Sequence, residues 1–308
     1  MRLAPRRQPR PPQKEVTVLQ RVNRERVVVL GWAPAILMQL AHPKVAAGVA
    51  EHSRFLDDPL ARFRRLSRTI GVMQGLMFSG PEEMERTARK VNAIHGKVTG
   101  TLDSAAGSFP AGTPYQALDP DLLLWVFASL LYALPRTYEL FVGPLSAEER
   151  NRFLADAVPV GVILRVPQER LPTDAAALDR YLASMLAGDV HTPSATGRDL
   201  VREILHPSWP RITYPLLWLA SLPAIGLLPP ALRRAYGLPW TKRHEQALQI
   251  MAWICRHILP LVPRRWRWWP AATGHAPKGR AARTAGPWRA GQSEQPLPSV
   301  GNPPSGTV

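Results

Sequence analysis

One cysteine, Cys255, stands among 308 residues. Internal disulfides and cysteine-cluster metal sites are thereby excluded, and such usage fits a reducing cytoplasm. Lysine is scarce as well, at six of 39 basic residues, the other 33 being arginine. GC-rich coding accounts for that skew without a function. Acidic residues number only 23, which leaves a net charge of +16. The excess sits at the ends: residues 1–26 carry eight basic and two acidic side chains, and residues 264–308 carry seven and one. The stretch between them is near balance, as expected of an ordinary globular surface.

Several signatures are missing. The chain has no phosphate loop, no dinucleotide glycine fingerprint, no G-x-S-x-G elbow and no H-E-x-x-H, which removes the chemistry those spacings support. A di-iron bundle needs two E-x-x-H pairs and further carboxylates; here one such pair, Glu203 with His206, stops at Pro207. Arg6-Arg7 is followed by Pro11-Pro12 rather than an apolar run, so no signal peptide is expected. Residues 212–232 are uncharged, but Pro215, Pro223, Pro229, Pro230, Ser221 and Gly226 interrupt them. That spacing predicts a buried or interfacial segment instead of a membrane span.

What remains reads as helices punctuated by proline and glycine, without sustained alternation of the kind strands show. Helices are predicted over 16–30, 35–41, 45–51, 59–78, 82–100, 122–142, 147–164, 174–187, 195–205 and 241–258. Asp58-Pro59 and Asp119-Pro120 are capping starts, and Ser146-Ala147-Glu148-Glu149 is a capping box. The expected fold is all-α: a single multi-helix domain over 15–263, with the apolar helix 122–142 at its centre. A Pro-rich basic N-terminus (1–14) and a basic Trp/Pro/Gly-rich tail (264–308) are expected to be largely disordered.

One pairing carries chemistry. Helices 59–78 and 82–100 are separated by a three-residue turn, so they form an antiparallel hairpin. Counting outward from Gly80, Arg65 and His95 stand level. Arg68 and Thr69 lie one turn from Arg65 on the same face, and Arg62 and Arg64 add charge. A helical histidine facing arginines can ligate haem iron while the arginines meet the propionates. A solvated histidine beside an exposed basic face has the same sequence pattern. His42 precedes Pro43, where its ring can bond backbone groups freed at the break, and His52 is a second polar candidate nearby. Trp125, Tyr115 and Phe127 read as core.

The run Gln39-Leu40-Ala41-His42-Pro43-Lys44-Val45-Ala46-Ala47-Gly48-Val49-Ala50-Glu51-His52-Ser53 resembles a large bacterial and fungal oxygenase family. So do Arg68-Thr69, Asn92-Ala93-Ile94-His95-Gly96-Lys97-Val98-Thr99-Gly100, Tyr115-Gln116-Ala117-Leu118-Asp119-Pro120 and Gly143-Pro144-Leu145-Ser146. The family contains the rubber oxygenases (latex-clearing proteins) and a fungal endoplasmic-reticulum-bound oxygenase of mycophenolic acid synthesis. The resemblance covers roughly residues 20–265. It implies b-type haem held through His95, with Arg65, Arg68 and Thr69 close to it. It also implies a distal glutamate, matched by Glu51, and oxidation of a hydrophobic, isoprenoid-like or lipid-like substrate with dioxygen.

A reading of another class is a non-catalytic basic protein that binds anionic membrane or nucleic acid through its ends. Arg264-Arg265-Trp266-Arg267-Trp268-Trp269 suits a membrane interface. Peripheral membrane contact is therefore the expected macromolecular partner, and nucleic acid is not.

Overall fold

The central helix follows from its composition. Asp119 caps it by accepting a hydrogen bond from the Asp121 amide at 2.9 Å, Pro120 occupies the first turn, and an almost unbroken apolar run follows. A helix apolar on every side must be covered on every side. Trp125, Ala128, Ala133 and Phe141 are wholly buried, and each large side chain so placed contributes about 1.5–3 kcal/mol.

The structure is a computed structural model that describes residues 16–52, 59–188, 192–207 and 211–273, with the side chains of 59–66 and 211 left out of the description. In chain order its helices are α1 (Val18–Asn23), α2 (Trp32–Gln39), α3 (Pro43–His52), α4 (Pro59–Phe78) and α5 (Pro81–His95). A two-stranded hairpin follows, β1 (Thr99–Thr101) with β2 (Pro114–Gln116). Then come α6 (Pro120–Phe141), the central helix, α7 (Ala147–Ile163), α8 (Ala175–Ala187) and α9 (Ala195–Leu205). The chain continues through α10 (Tyr214–Gly226), α11 (Pro230–Ala235), α12 (Lys242–Ile258) and α13 (Arg264–Arg267). The fold is all-α around one main core, and α2, α7, α8 and α12 all pack against α6.

Two predicted helices end early. The helix predicted over 16–30 stops at Asn23, and Arg26–Gly31 is a 3-10 turn. Glu25 adopts an extended backbone between them and bridges to Trp268, so a pairing with the far end of the chain overrides local propensity. The turn lies so close to α6 that a Cβ on Gly31 would sit 2.5 Å from Thr137 Oγ1. The helix predicted over 82–100 ends at His95, because Thr99, Gly100 and Thr101 pair with Gln116, Tyr115 and Pro114. Strand pairing was not expected there; three residues are too few to show alternation.

The uncharged segment 212–232 forms α10 and opens α11. Only the second half of α10 is buried, through Leu222, Pro223 and Ala224. Residues 264–273, assigned by composition to the C-terminal tail, fold onto the domain. Arg267 and Trp268 bond to Glu25, and the Trp269 amide donates to the Arg24 carbonyl at 3.0 Å. Residues 1–14 and 275–308 lie outside the described residues. Among the described residues no helix is long and apolar enough to cross a membrane.

Candidate functional site

The hairpin of α4 and α5 turns through Ser79-Gly80 and restarts on Pro81, with Glu82 and Glu83 in the first turn of α5 where its dipole favours negative charge. Its register can be read directly. A Cβ built on Gly75 would lie 3.4 Å from Thr87 Oγ1, so these positions oppose each other. Ten residues outward on each helix are positions 65 and 97. Arg65 is therefore level with the last turn of α5, within two residues of His95, or about 3 Å along the axis. The Arg62, Arg64 and Arg65 side chains lie outside the description. Arg68 is exposed and Thr69 half-buried.

His95 ends α5 and is half-buried. Its Nδ1 is buried without a hydrogen-bond partner among the described residues. Burial pushes its pKa below the ordinary histidine value, which favours the neutral ring. One turn earlier, Asn92 Nδ2 donates to the Ile163 carbonyl at 3.0 Å, tying α5 to the end of α7. Asn92 Oδ1 is also buried and unpartnered among the described residues. Two polar atoms thus wait on one turn, where such atoms are ordinarily satisfied. A neutral imidazole with an unpartnered ring nitrogen is the form that binds a metal, so His95 is a candidate for a single metal ligand. Among the described residues no three His, Cys, Asp or Glu side chains converge on one point.

Glu51 and His52 stand at the end of α3, above the β-hairpin. Tyr115 Oη donates to Glu51 Oε2, and His52 Nε2 donates to the Thr99 carbonyl at 3.0 Å. The Tyr115 and His52 rings meet edge-on at 6.5 Å. Burial first, then the bond to Glu51 and its negative charge, hold the Tyr115 phenol well above its ordinary pKa. It therefore stays protonated and donates. Glu51 reaches the hairpin at Gly100, five residues beyond His95, so β1 links the distal candidate to the proximal one. His42 caps its own break: the Lys44 amide donates to Nδ1 at 3.2 Å, and the ring packs on Phe109. That is the structural role its position before Pro43 suggests.

Tyr115, Asn92 and Gly100 were not singled out by the sequence as site residues. The signal for Tyr115 is its partner, since a Cβ on Gly100 would lie 2.5 Å from Tyr115 Oη and 2.6 Å from Glu51 Oε2. Only glycine lets the two approach across β1. Gly100→Ala is expected to separate them and to lower stability by about 1–3 kcal/mol, the usual cost of overpacking. The check is a thermal melt of Gly100→Ala beside Tyr115→Phe. A melt for Gly100→Ala that matches the wild type would refute the close approach.

Over residues 19–257 the chain matches the family described as ER-bound oxygenase mpaB/B'/rubber oxygenase, catalytic domain. It is 27% identical over 237 residues to the uncharacterized protein Rv2237 of Mycobacterium tuberculosis, covering 76% of this chain and 89% of the relative. The uncharacterized protein Mb2261 of Mycobacterium bovis matches to the same extent. No solved structure matches. The family match spans well over half of the chain and includes His95, Glu51, Tyr115 and the α4–α5 hairpin, so this all-helical protein belongs to the ER-bound oxygenase and rubber oxygenase catalytic-domain family.

Proposed function

We propose that the protein is a b-type haem-dependent oxygenase that uses dioxygen on a hydrophobic substrate of isoprenoid-like or lipid-like character, in the cytoplasm. The observation that carries this reading is His95, whose buried, unpartnered Nδ1 and neutral ring at the end of a helix would suit it to hold the iron. Arg65 and Arg68 would meet the propionates, and Thr69 would add a hydrogen bond, from one face of α4. When bound, haem supplies the iron at which dioxygen reacts.

The remaining tasks belong to the chain's own side chains. Asn92 fixes the turn that carries His95 through its bond to the Ile163 carbonyl. Tyr115 orients Glu51 by donating to Oε2, which leaves the other carboxylate oxygen to accept a proton from substrate or water. Gly100 keeps that pair together.

The test is haem stoichiometry and the Soret band of protein produced with haem supplied, in wild type, Arg65→Ala and Thr69→Ala. Red-brown wild type is expected, with each variant still helical by circular dichroism but losing haem about tenfold faster. A colourless wild type after haem supplementation and in vitro loading would overturn the reading. Wild-type haem retention in both variants would remove α4 from the site.

A further inference from the structure

The surface built by α10 and α12 is inverted. In α12, Ile250, Trp253, Ile254 and Ile258 recur at helical spacing and face outward, and Leu261 in the 3-10 turn that follows is 82% exposed. The opposite face, through Leu248 and Ala252, is the one packed on the domain. The first two turns of α10 are almost wholly apolar, yet Tyr214, Leu216, Trp218 and Leu219 are exposed, as is Ile212 just before them at 88%. The two helices pack against each other, so these residues form one apolar surface. A soluble monomer rarely leaves such a surface uncovered.

Charge identifies what covers it. Between residues 204 and 273 there are nine basic residues and one acidic one, Glu245. The Glu245 carboxylate is already engaged by the Trp240 indole at 2.9 Å and by Gln249 at 3.0 Å. Exposed Lys242 and Arg243 precede the α12 stripe, and exposed Arg264 and Arg265 follow it beside Trp266. Apolar centre, tryptophans and cationic ends match a bilayer interface with anionic headgroups. A second copy fits poorly, because a symmetric dimer would set the same cationic patch against itself. The chain outside the description is equally unsuited: 274–308 holds one tryptophan and few aliphatic side chains among its prolines and glycines.

We propose that the α10–α12 face, with Arg264 and Arg265, is a monotopic docking surface for anionic bilayers, into which Trp218 and Trp253 insert without spanning. This proposal stands independently of haem. It is tested by sedimenting the full chain with vesicles of phosphatidylcholine alone or mixed with phosphatidylglycerol. A parallel measurement follows quenching of tryptophan fluorescence by brominated acyl chains. Binding to the mixed vesicles with quenching is expected. The pair Trp218→Ser and Trp253→Ser should weaken it at least about tenfold. The pair Arg264→Glu and Arg265→Glu, whose side chains are exposed, should abolish the preference for phosphatidylglycerol, as should high salt.

Circular dichroism of the variants separates loss of the surface from loss of fold. Vesicle binding that survives both pairs would overturn the proposal. So would loss of binding on deleting 274–308, or a wild-type dimer that the tryptophan pair turns into a monomer.

Discussion

Replacing His95 with alanine is expected to abolish stable haem binding and leave the helices intact. The side chain sits at the last residue of α5 and makes no hydrogen bond among the described residues, so its removal breaks no network. It is half-buried, and truncation opens a small space at a helix end instead of a cavity in the core. Far-ultraviolet circular dichroism should therefore match the wild type. Haem retention should not: loss of supporting shells around a ligand already weakens metal sites 10–100-fold, and loss of the axial ligand itself should exceed about a hundredfold. Added imidazole, which can occupy the vacated space, should restore part of the Soret band in His95→Ala. That rescue distinguishes a ligand from a residue that only supports the site. Equal haem content and unchanged spectra in wild type and His95→Ala would remove His95 from the iron.

The second large effect is structural. Glu25 is 1% exposed and receives Arg267 Nε at 2.6 Å and Trp268 Nε1 at 3.0 Å. The Arg24 guanidinium lies 4.0 Å from the Trp268 ring centre, and Arg26 Nε donates to the Trp268 carbonyl at 3.0 Å. Residues 24–26 and 267–269 thus clamp the two ends of the folded domain. Glu25→Ala leaves a guanidinium and an indole N–H without their acceptor inside that clamp. Removing one partner of such a buried pair costs about 3–5 kcal/mol. For a domain of this size the thermal midpoint should fall by about 6–20 °C.

Glu25→Gln keeps the shape and an acceptor but not the charge, and should fall between the two. Limited proteolysis should cut Glu25→Ala near Arg264 and Arg265 faster than wild type. A midpoint within about a degree of wild type would show that the clamp contributes nothing.

The residues that fold locally were legible. Capping starts at Asp119 and Ser146 and the apolar run through Leu122 give α6 and α7 almost to the residue, because each depends on neighbours within one turn. The α4–α5 hairpin was legible for the same reason: a three-residue turn leaves two helices little choice but to lie side by side. Arg65 therefore comes out level with the turn that ends at His95.

Pairings between distant positions were not legible. Nothing near Glu25 announces Arg267 and Trp268, 242 residues or more away, and nothing near Gly100 announces that Tyr115 and Glu51 meet across it. A side chain's spacing fixes the face it occupies on its own helix, and the packing of that helix decides whether the face meets core or solvent. Hydrophobicity alone placed 212–232 in the interior or at an interface. Only the tertiary arrangement shows that Leu222 and Leu248 fill the core, while Trp218 and Trp253 are left outside it. Sequence by itself determined most of the helices, the central one among them, and the histidine carried by the second helix of the hairpin. Tertiary structure decided which polar atoms stay unpartnered and which apolar faces stay bare, because both depend on what the rest of the chain brings to them.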